Sequence, residues 1–439
     1  MNSPASLSSR RDRWGPWLFA LVALAPLVAN GSRFRDLFWF GDDWSMLDQW
    51  NRAGFWRWLN QMFTEDYVPL FKVVWGALVV GSSGSYFTMI VALWLTHALN
   101  VALFGKLLRQ EGFGWIATAL TLAVFGLASG NVESLAWSAV LTGLLSATFL
   151  LGAALWFGRS GAPAARLSGR GYAGLCALIL AGALCFPRGV LISFALAAVC
   201  FLPWREARSN LGPRLRAAAA CLPPGIVVSL LIFVYAGGNH RQLAGGHVPL
   251  GAAAQFGAWY LSLSPLYRLL PIDSWGWRTT LILGALKLAL VVWALARSGG
   301  RTRRLLFVLL LVDLGNAVLL GIGRYHTGLP ASIGSRYQYY ALICTLPFIG
   351  FWVETMLRSW TGARAGLRTA IALALVAGAG AWVARDWGAV SEWFAAGRGR
   401  NTRYILFEDA HPPAMGAIPG IPFLATDRAQ ELVRHYHLH

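Results

Sequence analysis

Long apolar runs, separated by polar or basic loops, make up most of this chain. About eleven of them are long enough, at roughly 1.5 Å of rise per residue, to cross a bilayer as helices. They cover residues 14–30, 86–105, 114–130, 137–157, 172–186, 189–201, 217–236, 279–296, 305–322, 338–354 and 369–384. The pattern therefore predicts an all-α, polytopic membrane helix bundle.

The first loop, residues 31–84, is a long interruption between the first two runs. Within it, 46–63 and 70–80 mix aromatic and polar residues, which is typical of amphipathic helices that lie on a membrane surface. Pro69 would separate these helices, because proline interrupts a helix interior. We therefore expect helices here that do not cross the bilayer.

Basic residues set the expected orientation. Arg10, Arg11 and Arg13 precede the first apolar run, which has no convincing cleavage site. Cytoplasmic loops are enriched in Lys and Arg, so we expect a retained first helix and a cytoplasmic N-terminus. Residues 1–384 would form the transmembrane domain with the first loop on its outer face, and residues 385–439 an outer tail.

The segment 255–270 is apolar enough to raise the question of a further crossing. A crossing there would place the basic loop 301–304 on the outer side, against the bias of basic residues toward the cytoplasm. Pro265 and Pro271 also interrupt the segment. We therefore expect it to lie at the outer interface.

Composition supports the membrane assignment, and in a membrane protein the high net positive charge has an explanation other than nucleic-acid binding. The chain has 439 residues, of which 56% are hydrophobic and 13% charged, with a mean hydropathy of +0.53. The 22 Trp fit the enrichment of indoles at membrane interfaces. A net charge of +18 would point to nucleic acid in a soluble protein, but basic loops on one side explain much of it here. We therefore expect a lipid bilayer, and no nucleic acid, as a partner.

Two adjacent acids, Asp42 and Asp43, stand among aromatic residues just after the first run. Gly41 precedes them and favours a turn, which would place them at the water edge of the bundle. A carboxylate there can act as an acid or a base. Alternatively, Asp42 caps the following helix and Asp43 lies in its favourable first turn. The motif alone leaves both interpretations open.

Other ionisable residues are expected on the same face, namely Glu65, Asp66, Glu133, Arg188, Arg324, His326 and Arg336. Together they favour a site for an anionic substrate, because the planar fork of Arg binds two phosphate oxygens. Singly, each Arg can instead extend from a helix end to the interface. Glu133 stands in a very short turn between two predicted spans, where ionisable groups are costly. It is therefore either functional, or it caps the N-terminus of a helix or forms a pair between two helices.

Several histidines point to structure or to chance. His97 and Asn100 are three positions apart on one helix face, deep inside a predicted span. This placement favours packing or hydrogen bonds between helices over catalysis. His240, His247 and the histidines of 435–439 lack convincing metal spacing.

Five stretches carry a family resemblance. They are Asp42-Asp43 followed by Tyr67-Val68-Pro69-Leu70, then His97-Ala98-Leu99-Asn100, Asn131-Val132-Glu133-Ser134-Leu135-Ala136-Trp137, Phe186-Pro187-Arg188, and Ser335-Arg336-Tyr337. In this order they resemble membrane glycosyltransferases of the GT-C fold, above all bacterial relatives of the protein O-mannosyltransferases. The resemblance covers roughly 33–340.

The chain also departs from the family pattern. Val68 and Asn131 replace a usual Arg and His, and Leu141 and Gly143 stand where an Arg and an Asp are frequent. These departures indicate a different sugar or acceptor, or weakened activity.

The resemblance implies an inverting transferase of the cell envelope, in the bacterial inner membrane with its active site on the periplasmic side. It would move a monosaccharide from a polyprenyl-phosphate donor to a hydroxyl of a lipid, glycan or protein acceptor. Asp42 would be the general base, and Asp43 would support it or exchange roles with it. No cofactor and no metal are implied. The resemblance assigns donor binding to Glu133, Arg188, Arg336 and Tyr337, with Arg336 neutralising the leaving phosphate, and support of the acceptor or the loop to Glu65, Asp66 and Tyr67.

Two other functions fit the same surface. A transporter or flippase of lipid-linked sugars would use the basic, aromatic face without needing Asp42, and charges along a mid-membrane path would favour it. Lys287 and Asp313 lie within predicted spans, but they can equally pair inside the bundle. A degenerate, structural member of the fold is the third alternative.

The topology makes a direct prediction. The basic loops 159–170, 205–216 and 297–304 should be cytoplasmic and the tail periplasmic, because Lys and Arg are retained on the cytoplasmic side. Single cysteines introduced into these loops should react with an impermeant thiol reagent only after the membrane is permeabilised. Labelling of the 301–304 loop from outside would mean that 255–270 crosses the membrane.

Overall fold

Helices form the regular structure of this chain. The computed structural model describes residues 5–63, 66–158, 167–201, 211–236, 248–270, 272, 276–360, 365–408 and 424–439. Within these ranges the only β pairing is an isolated bridge between Phe63 and Asp66. The all-α class expected from the sequence is therefore confirmed.

The α-helices are numbered in chain order. Those before residue 237 are α1 (Ala5–Val22), α2 (Ala25–Ala29), α3 (Gly31–Arg35), α4 (Asp42–Ala53), α5 (Phe55–Asn60), α6 (Pro69–Gly81), α7 (Tyr86–Gln110), α8 (Trp115–Leu127), α9 (Val132–Ala136), α10 (Leu141–Gly158), α11 (Gly169–Cys185), α12 (Val190–Phe201) and α13 (Leu211–Ala236). Those after it are α14 (Leu250–Leu263), α15 (Leu266–Leu269), α16 (Trp277–Arg297), α17 (Gly300–Arg324), α18 (Ser335–Ser359), α19 (Ala365–Ala384), α20 (Trp387–Phe394), α21 (Asn401–Phe407) and α22 (Thr426–Tyr436). A π-helix, Ala395–Arg400, joins α20 to α21.

Many of these helices can span a membrane. In the described part of the chain, seven helices are long and apolar enough, and the bent pair Trp115–Leu127 and Ser129–Ala136 adds an eighth if it is one span. Three more predicted spans correspond to shorter apolar helices, Trp14–Ala29, Gly169–Cys185 and Pro187–Phe201. The polytopic helix bundle is thus confirmed, whereas the full number of crossings stays a prediction.

Small residues bring neighbouring helices of the bundle into close contact. A Cβ atom added to Gly350 of α18 would lie 2.7 Å from the carbonyl oxygen of Ala117 in α8. One added to Gly105 of α7 would lie 2.9 Å from the side chain of Pro16 in α1. Close approach at small residues is the usual way in which helices pack where no water drives their association.

Helix α14 packs against α17 inside the bundle. A Cβ atom on Gly257 would lie 2.8 Å from the Ala317 carbonyl oxygen, so the two backbones are close. Tyr260 is fully buried, and its hydroxyl donates to Asp313, near the middle of a candidate span, at 3.1 Å. One face of α14 is therefore packed within the bundle, and the expected position of 255–270 at the outer interface stays a prediction. Small residues, which hydropathy does not reveal, give α14 this buried position.

The first loop folds into a packed aromatic unit made of α4, α5 and α6. The rings of Trp50 and Trp58 stack with their centroids 4.9 Å apart. The buried Lys72 ammonium donates to the carbonyl oxygens of Trp58 at 2.6 Å and Gln61 at 2.8 Å. Pro69 is the first residue of α6, where its missing N–H costs nothing, as its predicted role as a separator requires.

The tail lies against the first loop. Arg428 pairs with Asp48 at 2.8 Å, and Arg400 pairs with Asp36 at 2.7 Å. The amide of Tyr86, at the start of α7, donates to the carbonyl oxygen of His439 at 3.0 Å. The described residues of the tail therefore bind back onto the region that carries the paired acids.

Candidate active site

A turn at Gly41 presents the paired acids. Gly41 has a φ of +57°, which favours glycine, and an added Cβ atom would lie 3.2 Å from the Trp137 ring. The Trp137 indole donates to the carbonyl oxygen of Phe40 at 3.0 Å. Helix α4 begins at Asp42, so both acids lie in its first turn, with Gly41 at the N-cap position. The turn expected at Gly41 is therefore present and Asp43 lies in the first helical turn, whereas the alternative that Asp42 caps the helix is wrong, because Gly41 has the N-cap position.

A cavity of about 240 Å³ opens beside Asp42. Its other charged residues are Asp66, Arg188, Arg324 and Arg336. Much of the remaining wall is aromatic or apolar and includes Trp137, Leu319, Leu320, Ile322, Tyr337 and Tyr340. Such a wall beside guanidinium groups suits an anionic headgroup attached to an apolar chain.

Asp43 is the buried member of the acidic pair, with no exposed surface. Its Oδ1 accepts a 2.6 Å hydrogen bond from the Ser138 hydroxyl, and its Oδ2 accepts from the Phe40 amide at 3.2 Å and the Tyr86 hydroxyl at 3.3 Å. Burial raises the pKa of the Asp43 carboxyl to about 7, although these donors act in the opposite direction. Asp43 anchors the turn and lies outside the cavity wall, which favours a supporting role over an exchange of roles with Asp42.

Arg188 is buried among aromatic rings, with 6% of its surface exposed. Its guanidinium carbon lies 5.0 Å from the ring centroid of Phe186, 5.3 Å from that of Tyr337 and 5.5 Å from that of Tyr340. Aromatic faces stabilise a guanidinium cation without neutralising it. The rings therefore fix the position of the Arg188 guanidinium group, which stays positively charged and lines the cavity.

Arg336 and Glu133 meet at the start of α18. The Glu133 Oε2 atom accepts from the Ser335 hydroxyl at 2.7 Å and from the Arg336 amide at 3.2 Å, which satisfies a free amide of the first helical turn. Both Glu133 and Asp42 interact electrostatically with the Arg336 guanidinium. Glu133 itself does not line the cavity, which corrects the expectation that it would line a donor pocket. Its carboxylate is turned toward the helix that carries Arg336.

The other residues singled out in the first loop have different positions. Asp66 lines the cavity. Tyr67 is buried, and its hydroxyl donates to Asn60 at 3.4 Å and stays outside the cavity wall. Glu65 lies outside the described residues, as do His240 and His247 of the later loop.

Polar residues inside the bundle pair with one another. The Tyr339 hydroxyl contacts His97 Nδ1 at 3.0 Å and accepts from the Asn100 amide at 3.0 Å. Lys287 and Asp313 form a buried ion pair at 2.7 Å. The first arrangement is the inter-helix hydrogen bonding expected for His97 and Asn100, and the second is the pairing that the sequence left open for Lys287 and Asp313.

Sequence reasoning missed Arg398. This tail residue lies 3.7 Å from the Glu133 carboxylate, and its guanidinium carbon lies 4.1 Å from the Phe40 ring centroid. It also missed Ser138 and Tyr86 as partners of Asp43. A short loop motif can mark Glu133, but nothing local in the sequence marks the residues that meet it from distant segments.

No protein-family model and no curated protein matches this sequence. Similar solved structures come from the oligosaccharyltransferase of Archaeoglobus fulgidus. One, tethered by a disulfide bond to an acceptor peptide containing the NVT sequon, has a TM-score of 0.53 and 14% identity over 97% of this chain and 59% of that chain. Another, in complex with Zn and sulfate, has a TM-score of 0.52 and 12% identity over 90% and 55%.

A third is the oligosaccharyltransferase AglB of that organism, with an inhibitory peptide and a dolichol-phosphate, at a TM-score of 0.47 and 14% identity over 89% and 58%. This chain thus spans a little over half the length of these proteins. At such identities the likeness of the first two shows a shared fold, which agrees with the GT-C fold that the motifs imply.

The zinc in one similar structure raises the question of a cation site here. Both Asp43 oxygens are engaged by hydrogen-bond donors, and Arg188 and Arg336 share the cavity with Asp42. Within the described ranges, no group of three or more His, Cys, Asp or Glu could hold a metal ion. The residues present at this site therefore do not fit a resident divalent cation.

Asp43→Asn should change how stability depends on pH. Burial raises the folded-state pKa of Asp43 from 3.8 to about 7, so the folded protein binds this proton more tightly than the unfolded chain. Its contribution is fully present below about pH 4 and is lost as the pH rises through about 7, on the order of 4 kcal/mol in all. The unfolding midpoint in detergent should therefore fall more from about pH 5 to pH 8 in the wild type than in Asp43→Asn, which does not titrate.

Asp48→Asn is the matched control for this measurement. Asp48 lies on the same helix and pairs with Arg52 and Arg428, but it does not contact Asp43. It should keep the wild-type pH dependence. Equal pH dependence in the wild type and in Asp43→Asn would contradict the prediction.

Proposed function

We propose that this chain is a membrane glycosyltransferase that moves one monosaccharide from a polyprenyl-phosphate donor to an acceptor hydroxyl. The observation that carries the proposal is that Asp42, Arg188 and Arg336 line one cavity with an aromatic and apolar wall. A base, cations and an apolar wall are what a phosphate-linked isoprenoid sugar needs from its site. The fold shared with an archaeal oligosaccharyltransferase is consistent with this chemistry.

Arg336 and Arg188 hold the donor phosphate in this proposal. Arg336 is the second residue of α18, and because Glu133 already accepts from its amide, the phosphate would meet the guanidinium group. Tyr337 packs against both guanidinium groups, at 5.2 Å from Arg336 and 5.3 Å from Arg188, and helps to fix their separation. Cations held in this way stabilise the negative charge that grows on a leaving phosphate.

Asp42 is the general base. It takes the proton of the acceptor hydroxyl while that oxygen forms a bond to the anomeric carbon. The bond from this carbon to the phosphate oxygen breaks, and its electron pair leaves with the polyprenyl monophosphate, whose charge Arg336 neutralises. A single displacement of this kind inverts the anomeric centre. Asp43 takes no part in the proton transfer and holds the turn that carries Asp42.

The walls of the cavity support a lipid-linked donor with a single sugar. Ile232 of α13 and Leu319 and Ile322 of α17 line it, and both helices are candidate membrane spans. Leu319 and Ile322 are also 38% and 44% exposed, so the apolar wall continues onto the outside of the bundle, where an isoprenoid chain would lie. The volume of about 240 Å³ is below the roughly 300–1,000 Å³ of typical ligand pockets, which favours one sugar over an oligosaccharide.

The expected orientation completes the proposal. Basic loops in the cytoplasm would place the first loop and the cavity on the periplasmic side of a bacterial inner membrane. The acceptor, a lipid, glycan or protein, would reach Asp42 from that side. The transporter alternative gains no support from the buried charges, since Lys287 and Asp313 pair with each other and lie outside the cavity wall.

Asp42→Asn and Arg336→Ala should separate catalysis from donor binding. Asn keeps the size of Asp42 but cannot take a proton, so transfer should fall about 10²-fold or more while donor binding survives. Arg336→Ala should instead weaken donor binding by about 2–5 kcal/mol, because it removes a partly buried charge from the phosphate site. Transfer would be followed in detergent with a polyprenyl-phosphate sugar, and donor binding would be measured separately.

Asp48→Asn serves as the control in this assay as well, because Asp48 belongs to the first loop but not to the cavity wall. Its transfer rate should stay within about twofold of wild type, because Asp48 pairs with Arg52 and Arg428 and lies outside the cavity wall. Full transfer by Asp42→Asn would rule out this mechanism. Absence of transfer by the wild type with every donor would favour the transporter or the degenerate alternative.

Removal of divalent cations should leave transfer intact. The site presents Arg336 and Arg188 to the phosphate, and those of its acids that the structure describes do not form a cation-binding group. Transfer after treatment with EDTA should therefore stay within about twofold of the untreated rate. Loss of transfer that added Mg²⁺ or Mn²⁺ restores would contradict this part of the proposal.

A further inference from the structure

The tail reaches the candidate site through Arg398. Its guanidinium group lies 3.7 Å from Glu133 Oε1, and the side chain is only 18% exposed. The guanidinium carbon lies 4.1 Å from the ring centroid of Phe40 and 4.2 Å from that of Phe394. Arg398 is therefore held between two aromatic rings and aimed at a carboxylate.

An unusual local backbone makes this contact. Arg398 belongs to the π-helix Ala395–Arg400, a form that is rare and frequent at functional sites. The next residue, Gly399, lies so close to the first loop that an added Cβ atom would be 1.9 Å from the Asp36 carbonyl oxygen. Only glycine permits this approach, which brings Arg398 onto Phe40.

Glu133 connects Arg398 to the cavity. Its Oε1 atom faces Arg398, while its Oε2 atom accepts from the Ser335 hydroxyl and the Arg336 amide. At the same time Arg398 packs on Phe40, two residues before Asp42. One side chain of the tail thus contacts the segment that carries Asp42 directly, and it reaches the start of α18, which carries Arg336, through Glu133.

We propose that Arg398 is a positioning residue, which sets Asp42 and Arg336 at their working separation through Phe40 and Glu133. The inference rests on the proposed function for its kinetic consequences, but the physical link from Arg398 to the start of α18 can be tested without it. It also makes the tail a part of the site, although the tail does not line the cavity.

The contact requires arginine rather than a generic cation. A planar guanidinium can lie on the Phe40 and Phe394 rings while its edge faces Glu133, whereas a lysine ammonium is a point charge on a flexible stem. Arg398→Lys should therefore restore only part of the function that Arg398→Ala loses.

The kinetic test compares Arg398→Ala, Glu133→Gln and the double variant. A misplacement of about 1 Å can cost on the order of 10²-fold in rate, so Arg398→Ala should lower kcat about 10- to 100-fold. The KM for the donor should change less than about threefold, because Arg336 is still present to bind the phosphate. Because part of the effect of Arg398 passes through Glu133, the loss in the double variant should be smaller than the product of the two single losses.

Arg400→Ala is the matched control. Arg400 ends the same π-helix and pairs with Asp36 and Glu392, so it helps to attach the tail, but it pairs with neither Glu133 nor Phe40. Its kcat should stay within about threefold of wild type. An equal loss in Arg400→Ala would show that the tail matters only by being attached, and would overturn the inference.

Amide hydrogen exchange tests the positioning role of Arg398 independently of sugar transfer. The Arg336 amide donates to Glu133, so peptides containing it should exchange about 10-fold faster in Arg398→Ala, and at the wild-type rate in Arg400→Ala. If Arg398→Ala does not fold, Arg398→Lys should still speed the exchange of these peptides, but by a smaller factor. Unchanged exchange in both Arg398 variants would overturn the inference. Wild-type protein that transfers no sugar while Arg398→Ala speeds exchange would refute the proposed function and leave the positioning link supported.

Discussion

A buried carboxylate holds the candidate site together. Asp43 has no exposed surface, and its hydrogen-bond donors come from three separate places, Phe40 in the first loop, Tyr86 at the start of α7 and Ser138 just before α10. A buried polar group without such donors would cost about 2–7 kcal/mol. The turn is therefore stable only where these three segments meet. Since Asp42 is the next residue back, its place beside the cavity follows from how Asp43 is held.

The same constraint gives two adjacent acids different chemistry. Neighbouring residues of a helix cannot face the same way, so burial of Asp43 turns Asp42 toward the cavity. Burial also raises the pKa of Asp43 to about 7, whereas Asp42 shares its cavity with the guanidinium groups of Arg188 and Arg336. Environments that differ in this way are how paired carboxylates divide the roles of structural acid and base.

The sequence predicted the parts of this site that depend on hydrophobic patterning. Apolar runs predicted the helices, and the bias of basic loops put Asp42, Arg188 and Arg336 on one face, where the structure has them around one cavity. It could not predict Arg398, because a polar tail carries no periodic signal that relates it to a loop far away in the chain. Nor could it predict the buried position of α14, which depends on small residues such as Gly257 fitting a neighbouring helix.

The apolar wall of the cavity and its positive charge strengthen each other. Two unit charges 4 Å apart interact by about 1 kcal/mol in water but by about 4 kcal/mol at an effective dielectric constant near 20, so an apolar wall increases the attraction between Arg188 and a phosphate. The rings of Phe186 and Tyr337 stabilise Arg188 while leaving its charge in place, since an aromatic ring is neutral. In the Lys287–Asp313 pair a carboxylate cancels the cation instead. A cation held by rings stays available to an incoming anion, and a cation held by a carboxylate does not. This difference favours the cavity, rather than the buried ion pair, as the place where an anionic substrate binds.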